Sequence, residues 1–129
     1  MLSMQFVLGG KALFSVSNNK GQHFTYKVNH KDERWFVSLL TGPDNIQDYT
    51  YLGMLNGNGN FMLTKASKMK LDSLPVKVFV WAIKMMESQT SLPDGYKIQH
   101  EGRCCKCGRL LTHPESLDSG IGPECRKAA

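Results

Sequence analysis

The chain has 129 residues, of which 41% are hydrophobic, and its 16 Lys and Arg outnumber its 11 Asp and Glu to give a formal net charge of +5. This length suits one domain, or one domain with a small appendage, and the apolar content is sufficient for a core. No apolar run approaches the ~18 residues of a membrane-spanning helix, so such a span is excluded. The positive charge permits a polyanionic partner without requiring one.

The first half of the chain predicts antiparallel strands separated by short polar turns. Alternation is clearest after the first turn, where His23, Thr25 and Lys27 fall on one face and apolar residues on the other. In a later strand, Tyr49, Tyr51 and Gly53 are predicted on one face. Five strands are expected, at residues 12–16, 22–28, 34–40, 49–55 and 61–64. Short connections favour an antiparallel five-stranded sheet or a small barrel over a parallel sheet.

One main helix is predicted over residues 75–89, with Ser73 as its N-cap and Pro75 in its first turn. Its apolar stripe has helical spacing and consists of Val76, Phe79, Val80, Ile83 and Met86. We interpret Trp81 and the methionines Met62, Met85 and Met86 as core residues. A further short strand at 96–100 leads into the C-terminal region. The predicted fold class is therefore α+β.

All four cysteines lie near the C-terminus, and three of them have the spacing of a zinc site. Cys104 and Cys107 form a C-x-x-C pair followed by Gly108, which is typical of a zinc knuckle. Cys125 follows a Gly-Ile-Gly-Pro-Glu segment, so we expect it near a helix N-terminus, where a thiolate is favoured. A disulfide, a redox pair and plain buried thiols are the alternatives, but three closely spaced cysteines favour zinc.

The fourth ligand is open between two histidines. His100 lies four residues before the knuckle, and His113 lies between the knuckle and Cys125. Water and Cys105 are further alternatives, although Cys105 is adjacent to Cys104 and adjacent ligands rarely reach one metal. A knuckle followed by a terminal helix is typical of a treble-clef-like finger. Because Ala128 occupies the position of that helix's second ligand, a histidine from outside is needed.

The pattern C-x-x-C-G-R-x-L-T-x-P-x-S-x-x-x-G-x-G-P-x-C, from Cys104 to Cys125, resembles a small zinc-binding-like module in phage and bacterial proteins of unknown function. The chain also resembles full-length uncharacterised phage proteins, through F-T-Y-x-V (24–28), W-F-V-S-L-L-T-G-P-D-N (35–45), Y-x-Y-L-G (49–53) and H-E-G-R-C (100–104). The resemblance implies a phage origin and a metal site, without a known activity. In such proteins the position of His113 often carries Asp or Val, which favours His100 as the ligand.

We expect two parts, a sheet and helix domain at residues 1–98 and a zinc-binding module at 99–129 docked on it. The N-terminus lacks the charged segment and cleavage site of a signal peptide, and clustered cysteines agree with a reducing compartment, so the expected location is the cytoplasm of an infected host cell. His113-Pro114-Glu115 only faintly resembles a deaminase motif, because its proline disfavours a regular helix and the C-x-x-C lies on the wrong side. We expect no enzyme activity and no small-molecule substrate.

Nucleic-acid binding during phage replication or expression is the first functional hypothesis. Basic side chains would neutralise phosphates, and aromatic side chains of the strands would stack on bases. The basic candidates are Lys65, Lys68, Lys70, Arg103, Lys106, Arg109, Arg126 and Lys127. The aromatic candidates, which could equally form the sheet core, are Phe24, Tyr26, Trp35, Tyr49 and Tyr51. The alternative is an inhibitor that binds a host or anti-phage defence protein through a protein interface, of the anti-CRISPR or another anti-defence type.

Overall fold

The computed structural model describes residues 2–44, 46–112, 114–123 and 125. Three helices and six strands follow one another along these residues. The helices are α1 (Met4–Val7), α2 (Leu74–Ser88) and α3 (Pro114–Ser119), and the strands are β1 (Lys11–Ser17), β2 (His23–Lys31), β3 (Arg34–Leu40), β4 (Tyr49–Leu55), β5 (Phe61–Met62) and β6 (Lys97–His100). The α+β prediction is confirmed.

The six strands form one open antiparallel sheet in the order β5-β4-β3-β2-β1-β6. The first five strands follow the chain as a meander because each connection is a short turn. The predicted sheet of five strands was one strand short, since the further strand expected at 96–100 is β6 and pairs with β1 at the far edge. The barrel alternative was wrong, because β5 and β6 are the two edges of an open sheet.

One face of the sheet is apolar and lies under the helices. Val28 pairs with Val37, Tyr26 pairs with Leu39, and all four of these side chains are buried. A bulge in the β3–β4 pairing, between Val37 and Ser38, changes the predicted alternation. It places Gly53 opposite the core residue Val37, so the prediction that Gly53 shares a face with the tyrosines of β4 was wrong.

The main helix packs on this face nearly as predicted. Its buried residues are Val76, Phe79, Ala82, Ile83 and Met86, while Val80, Trp81 and Met85 are half-buried against the core. Ser73 is the N-cap residue, as predicted, and its carbonyl accepts the Lys77 N–H, but its hydroxyl donates to the Lys70 carbonyl and caps no helix N–H. Met62 is 40% exposed, so its interpretation as core was wrong: the short edge strand β5 carries it away from the helix.

The C-terminal residues share the core of the sheet through α1. Cys104, Cys105, Leu111 and Ile121 belong to the same buried cluster as the sheet and α2. A Cβ at Gly120 would lie 2.5 Å from the Phe6 ring, and Gly120 has φ +74°, so only glycine fits this contact without strain. None of the helices in the described residues has the length and apolar character needed to cross a bilayer.

Candidate metal centre and open sheet face

The C-x-x-C segment folds into a tight knuckle held by its own backbone. The Cys104 N–H donates to the Arg109 carbonyl at 2.8 Å, and the Gly108 N–H donates to the Cys104 carbonyl at 3.0 Å. Gly108 has φ +77°, a backbone conformation that glycine adopts without strain. Two further N–H groups, of Lys106 and Gly122, donate to Cys104 Sγ at 3.4 and 3.1 Å. The Cys104 sulfur is therefore placed as an acceptor, which suits a thiolate.

The sulfurs of Cys104, Cys107 and Cys125 lie within 4.8 Å of one another and could hold a metal ion. In a tetrahedral zinc site with Zn–S bonds of about 2.3 Å, two sulfurs lie about 3.8 Å apart. The observed spread is therefore compatible with one ion bound by all three. All four cysteines of the chain are free thiols. A cluster of sulfur ligands favours zinc over the oxygen-seeking cations.

The surroundings of the cluster give the thiols of Cys104 and Cys125 different pKa values. Burial alone would raise the pKa of Cys104, but the backbone N–H groups of Cys107, Gly122 and Lys106 outweigh burial and lower this pKa to about 6. Partial burial and the neighbouring Cys104 and Cys107 raise the pKa of Cys125 to about 11. One sulfur of the cluster is therefore ready as a thiolate at neutral pH, whereas Cys125 has to lose a proton when a metal binds.

His100 lies outside the cysteine cluster, and both of its ring nitrogens have other partners. The Gly102 N–H donates to Nδ1 at 2.9 Å, and Nε2 forms a hydrogen bond with the Leu117 carbonyl. An N–H donor at Nδ1 and a carbonyl at Nε2 place the ring proton on Nε2. The ring also lies 6.2 Å from that of Phe6. In this structure His100 therefore fixes α3 and the knuckle to the edge of the sheet.

The other candidates for the fourth ligand are His113 and Cys105. His113 lies outside the described residues. Cys105 is buried against Gly9, where a Cβ would lie 2.5 Å from its sulfur. Burial, followed by the charge of Cys104, raises the pKa of Cys105 to about 12. Among the described residues, the convergent group of metal-ligand side chains consists of the three cysteines.

The predicted basic residues are divided between the two edges of the sheet. Lys65, Lys68 and Lys70 are exposed on the segment after β5, and the Lys68 N–H donates to the Tyr51 carbonyl of β4. Arg103, Lys106 and Arg109 lie on the knuckle, next to β1 and β6. Arg126 and Lys127 lie outside the described residues. The predicted basic set is therefore two groups with the sheet between them.

The sheet face opposite the helices lies between the two groups of basic residues. Phe24, Tyr26 and Trp35 belong to the core side, whereas Tyr49 and Tyr51 belong to the opposite face. A hollow of about 820 Å³ lies over this open face. Its charged lining residues are Lys11, Lys27, Glu101 and Arg103. The hollow therefore has a net positive lining beside the half-buried tyrosine rings of β4.

Three residues of the open face, Phe36, Lys11 and Lys27, were not predicted as site residues. Phe36 was hidden because its strand reads as a continuous apolar run, in which neither face is distinguished. The signal for Lys27 was present, since it alternates with the core residues of β2. Lys11 becomes recognisable only from the pairing, because its N–H donates to the Cys105 carbonyl at 2.6 Å and this brings β1 against the knuckle.

Fold and site together define an open antiparallel sheet, covered by helices on one face, with a cysteine cluster at one edge. Residues 98–129 match a family that is described as a family of unknown function, DUF6011. The match covers the last strand, the knuckle and the segment that carries Cys125. No curated protein and no solved structure matches the chain.

Proposed function

We propose that the protein is a non-catalytic zinc protein in which Cys104, Cys107 and Cys125 hold one structural zinc ion. The observation that supports this is the convergence of three sulfurs within 4.8 Å, one of them already accepting two backbone N–H bonds. A bound zinc ion would cross-link the knuckle to the segment of Cys125 and thereby stabilise the region. His113 is the proposed fourth ligand, because both nitrogens of His100 have backbone partners.

We further propose that the protein binds nucleic acid in the cytoplasm of a phage-infected cell. The observation that favours this partner is the arrangement of basic residues at both edges of the sheet, with a positively lined hollow between them. Phosphates are neutralised by such Lys and Arg side chains, and the affinity then falls steeply with salt. An enzyme role is not proposed, since the one convergent cluster in the described residues is a set of thiols suited to closing around a metal.

The metal proposal is tested by elemental analysis of chain purified without chelator. About one zinc per chain is expected, and Cys107→Ser should reduce this content and loosen the C-terminal third, as seen by proteolysis. Cys105→Ser is the matched control, because that buried thiol lies outside the cluster and should leave the zinc content unchanged. Wild-type chain free of zinc would overturn the metal proposal.

The nucleic-acid proposal is tested by retention on single- and double-stranded DNA and RNA at low and moderate salt. We expect retention at low salt and its loss as salt rises. Absence of retention on every nucleic acid at low salt would overturn this proposal while leaving the metal proposal standing.

A second candidate function is inhibition of a host or defence protein, and one groove favours it. The groove, of about 650 Å³, lies between α2 and the β1–β2 turn and is lined by Phe24, Val78, Trp81 and Tyr96. Leu74, at the start of α2, lines the same groove and is 60% exposed. Aromatic and aliphatic anchors of this kind are typical of protein interfaces, whose affinity depends little on salt. A salt-insensitive partner lost on Trp81→Ala would support this candidate.

A further inference from the structure

The open face of the sheet has the composition of a stacking platform. Pairing places Tyr51, Ser38, Lys27 and Leu13 in one row across four strands, because Tyr51 is opposite Ser38, Ser38 opposite Lys27 and Lys27 opposite Leu13. Alternate residues of a strand share a face, so Tyr49 lies on the same side as Tyr51.

A second row lies beside the first on this face. Met54 is opposite Phe36, Phe36 opposite Asn29, and Asn29 opposite Lys11. The ring of Phe36 lies 6.1 Å from that of Tyr51. The first row therefore runs from Tyr51 on β4 to Lys27 on β2, and the second runs from Met54 and Phe36 to Lys11 on β1.

The rings and the cations are close enough to serve one ligand. Lys27 Nζ lies 4.8 Å from the centre of the Tyr49 ring. Lys11 passes next to the knuckle, since a Cβ at Gly108 would lie 3.7 Å from its Cδ. The hydroxyl of Tyr51 accepts a hydrogen bond from Thr64, which begins the segment of Lys65 and Lys68. The open face is thus continuous with both basic groups.

We propose that the open face binds single-stranded nucleic acid, with the strand running across the β-strands from the cysteine knuckle to the Lys65–Lys70 segment. This inference rests on the proposed nucleic-acid function and adds its surface and its ligand class. Bases stack on Tyr49, Tyr51 and Phe36, while Lys11, Lys27 and Arg103 neutralise phosphates.

The preference for a single strand follows from the geometry of stacking. The rings lie on the face of the sheet, so they can meet only bases whose own faces are free, and the bases of a duplex are already stacked on one another. Six strands at a spacing of about 4.8 Å make the platform about 24 Å wide, which a strand of a few nucleotides spans. The charges agree with this ligand, because the lining of the hollow has three cationic side chains, Lys11, Lys27 and Arg103, and one carboxylate, Glu101.

The test measures the affinity of the zinc-loaded chain for labelled 12-nucleotide single strands of DNA and of RNA and for the matching duplex. We expect at least one single strand to bind about tenfold or more tightly than the duplex. The double variant Phe36→Thr, Tyr51→Thr should weaken single-strand binding by about 30-fold or more, because it removes two stacking rings and each contributes about fivefold or more. Lys27→Gln should lower the salt slope by about 0.7, the value for one lost phosphate contact on a single strand.

Two variants on the helix side of the sheet control for the general loss of an aromatic ring or of a positive charge. Tyr96→Thr removes an aromatic ring from the groove beside α2, and Lys84→Gln removes an exposed charge from α2, so both should bind like the wild type. Thermal unfolding and zinc content of every variant confirm that the fold is kept. Equal binding by the Phe36, Tyr51 variant, or equal affinity for duplex and single strand, would overturn the platform but not the proposed function. A wild type that binds no nucleic acid would overturn both.

Discussion

The sheet with its main helix and the cysteine knuckle are stabilised in different ways. Phe79 is fully buried and its ring lies between 5.1 and 6.3 Å from those of Phe14, Tyr26 and Phe61. The knuckle region contributes few apolar side chains to the core. They are the two thiols Cys104 and Cys105 and the aliphatic residues Leu111 and Ile121. Burial of apolar area is the main source of stability in the first region, whereas the second has too little of it to be stable alone. A region of this size needs an additional constraint, and the convergent thiols offer one.

The largest expected effect on global stability comes from the aromatic cluster. Phe79→Ala should lower the free energy of unfolding by about 3–5 kcal/mol, because it removes a buried ring from between the sheet and α2. The measurement is guanidinium unfolding followed by far-ultraviolet circular dichroism, with and without EDTA. The same loss is expected in both conditions, since the cluster does not depend on the metal.

Lys84→Ala on the same helix is the control, as Lys84 is exposed and its removal should change stability by less than about 0.5 kcal/mol. If EDTA alone abolished the unfolding transition of the sheet, the conclusion that apolar burial stabilises this region without the metal would be wrong. In that case the metal would stabilise the entire chain.

His100 connects the two regions, and its replacement distinguishes a structural role from metal binding. His100→Phe keeps a ring beside Phe6 but removes the hydrogen bonds to Gly102 and Leu117. We expect a loss of about 1–3 kcal/mol, because two backbone groups lose their partners. The zinc content should stay at about one per chain, which elemental analysis measures alongside unfolding.

His100→Asn provides the comparison, since its shorter side chain can still accept from the Gly102 N–H and should restore part of the stability. A zinc content that falls in both variants would instead identify His100 as the fourth ligand. The sequence prediction of that role would then be correct, and the hydrogen bonds of His100 with Gly102 and Leu117 would belong to the metal-free chain.

Local patterns account for much of the fold that could be predicted from sequence. Residues 22–28 alternate between the two faces, and the apolar stripe of residues 76–86 has helical spacing, so β2 and α2 were identified in nearly the right place. The pairing of β6 with β1 could not be read in this way, because it joins residues about 85 positions apart and depends on the tertiary fold. The bulge opposite Gly53 was missed for a related reason, since only the partner strand reveals it.

The site shows the same division between local and distant information. The spacing of Cys104 and Cys107 predicted a knuckle, and the structure brings Cys125 to it. The hydrogen bond between His100 Nε2 and the Leu117 carbonyl could not be predicted, because spacing does not show which backbone group lies beside the ring. The open face was partly hidden as well, since Tyr49 and Tyr51 suit either side of a sheet until their partners are known.

The smallest effect concerns Tyr26, whose hydroxyl donates to the Pro75 carbonyl at 2.7 Å and joins the sheet to α2. Tyr26→Phe should cost about 1 kcal/mol at pH 7. Burial raises the pKa of Tyr26 well above its usual range, so above pH ~10 the unfolded chain loses a proton that the folded chain keeps. The contribution of this hydroxyl to stability is complete below pH ~10. Above that pH, the free energy of unfolding of the wild type falls by about 1.4 kcal/mol per pH unit, a loss that the variant does not show. Guanidinium unfolding should show the wild type about 1 kcal/mol more stable than Tyr26→Phe at pH 7, less so at pH 10, and no more stable at pH 11. Tyr96→Phe, at an exposed tyrosine, should match the wild type at all three values. A difference that stays constant with pH would show that burial does not raise the pKa of the Tyr26 hydroxyl.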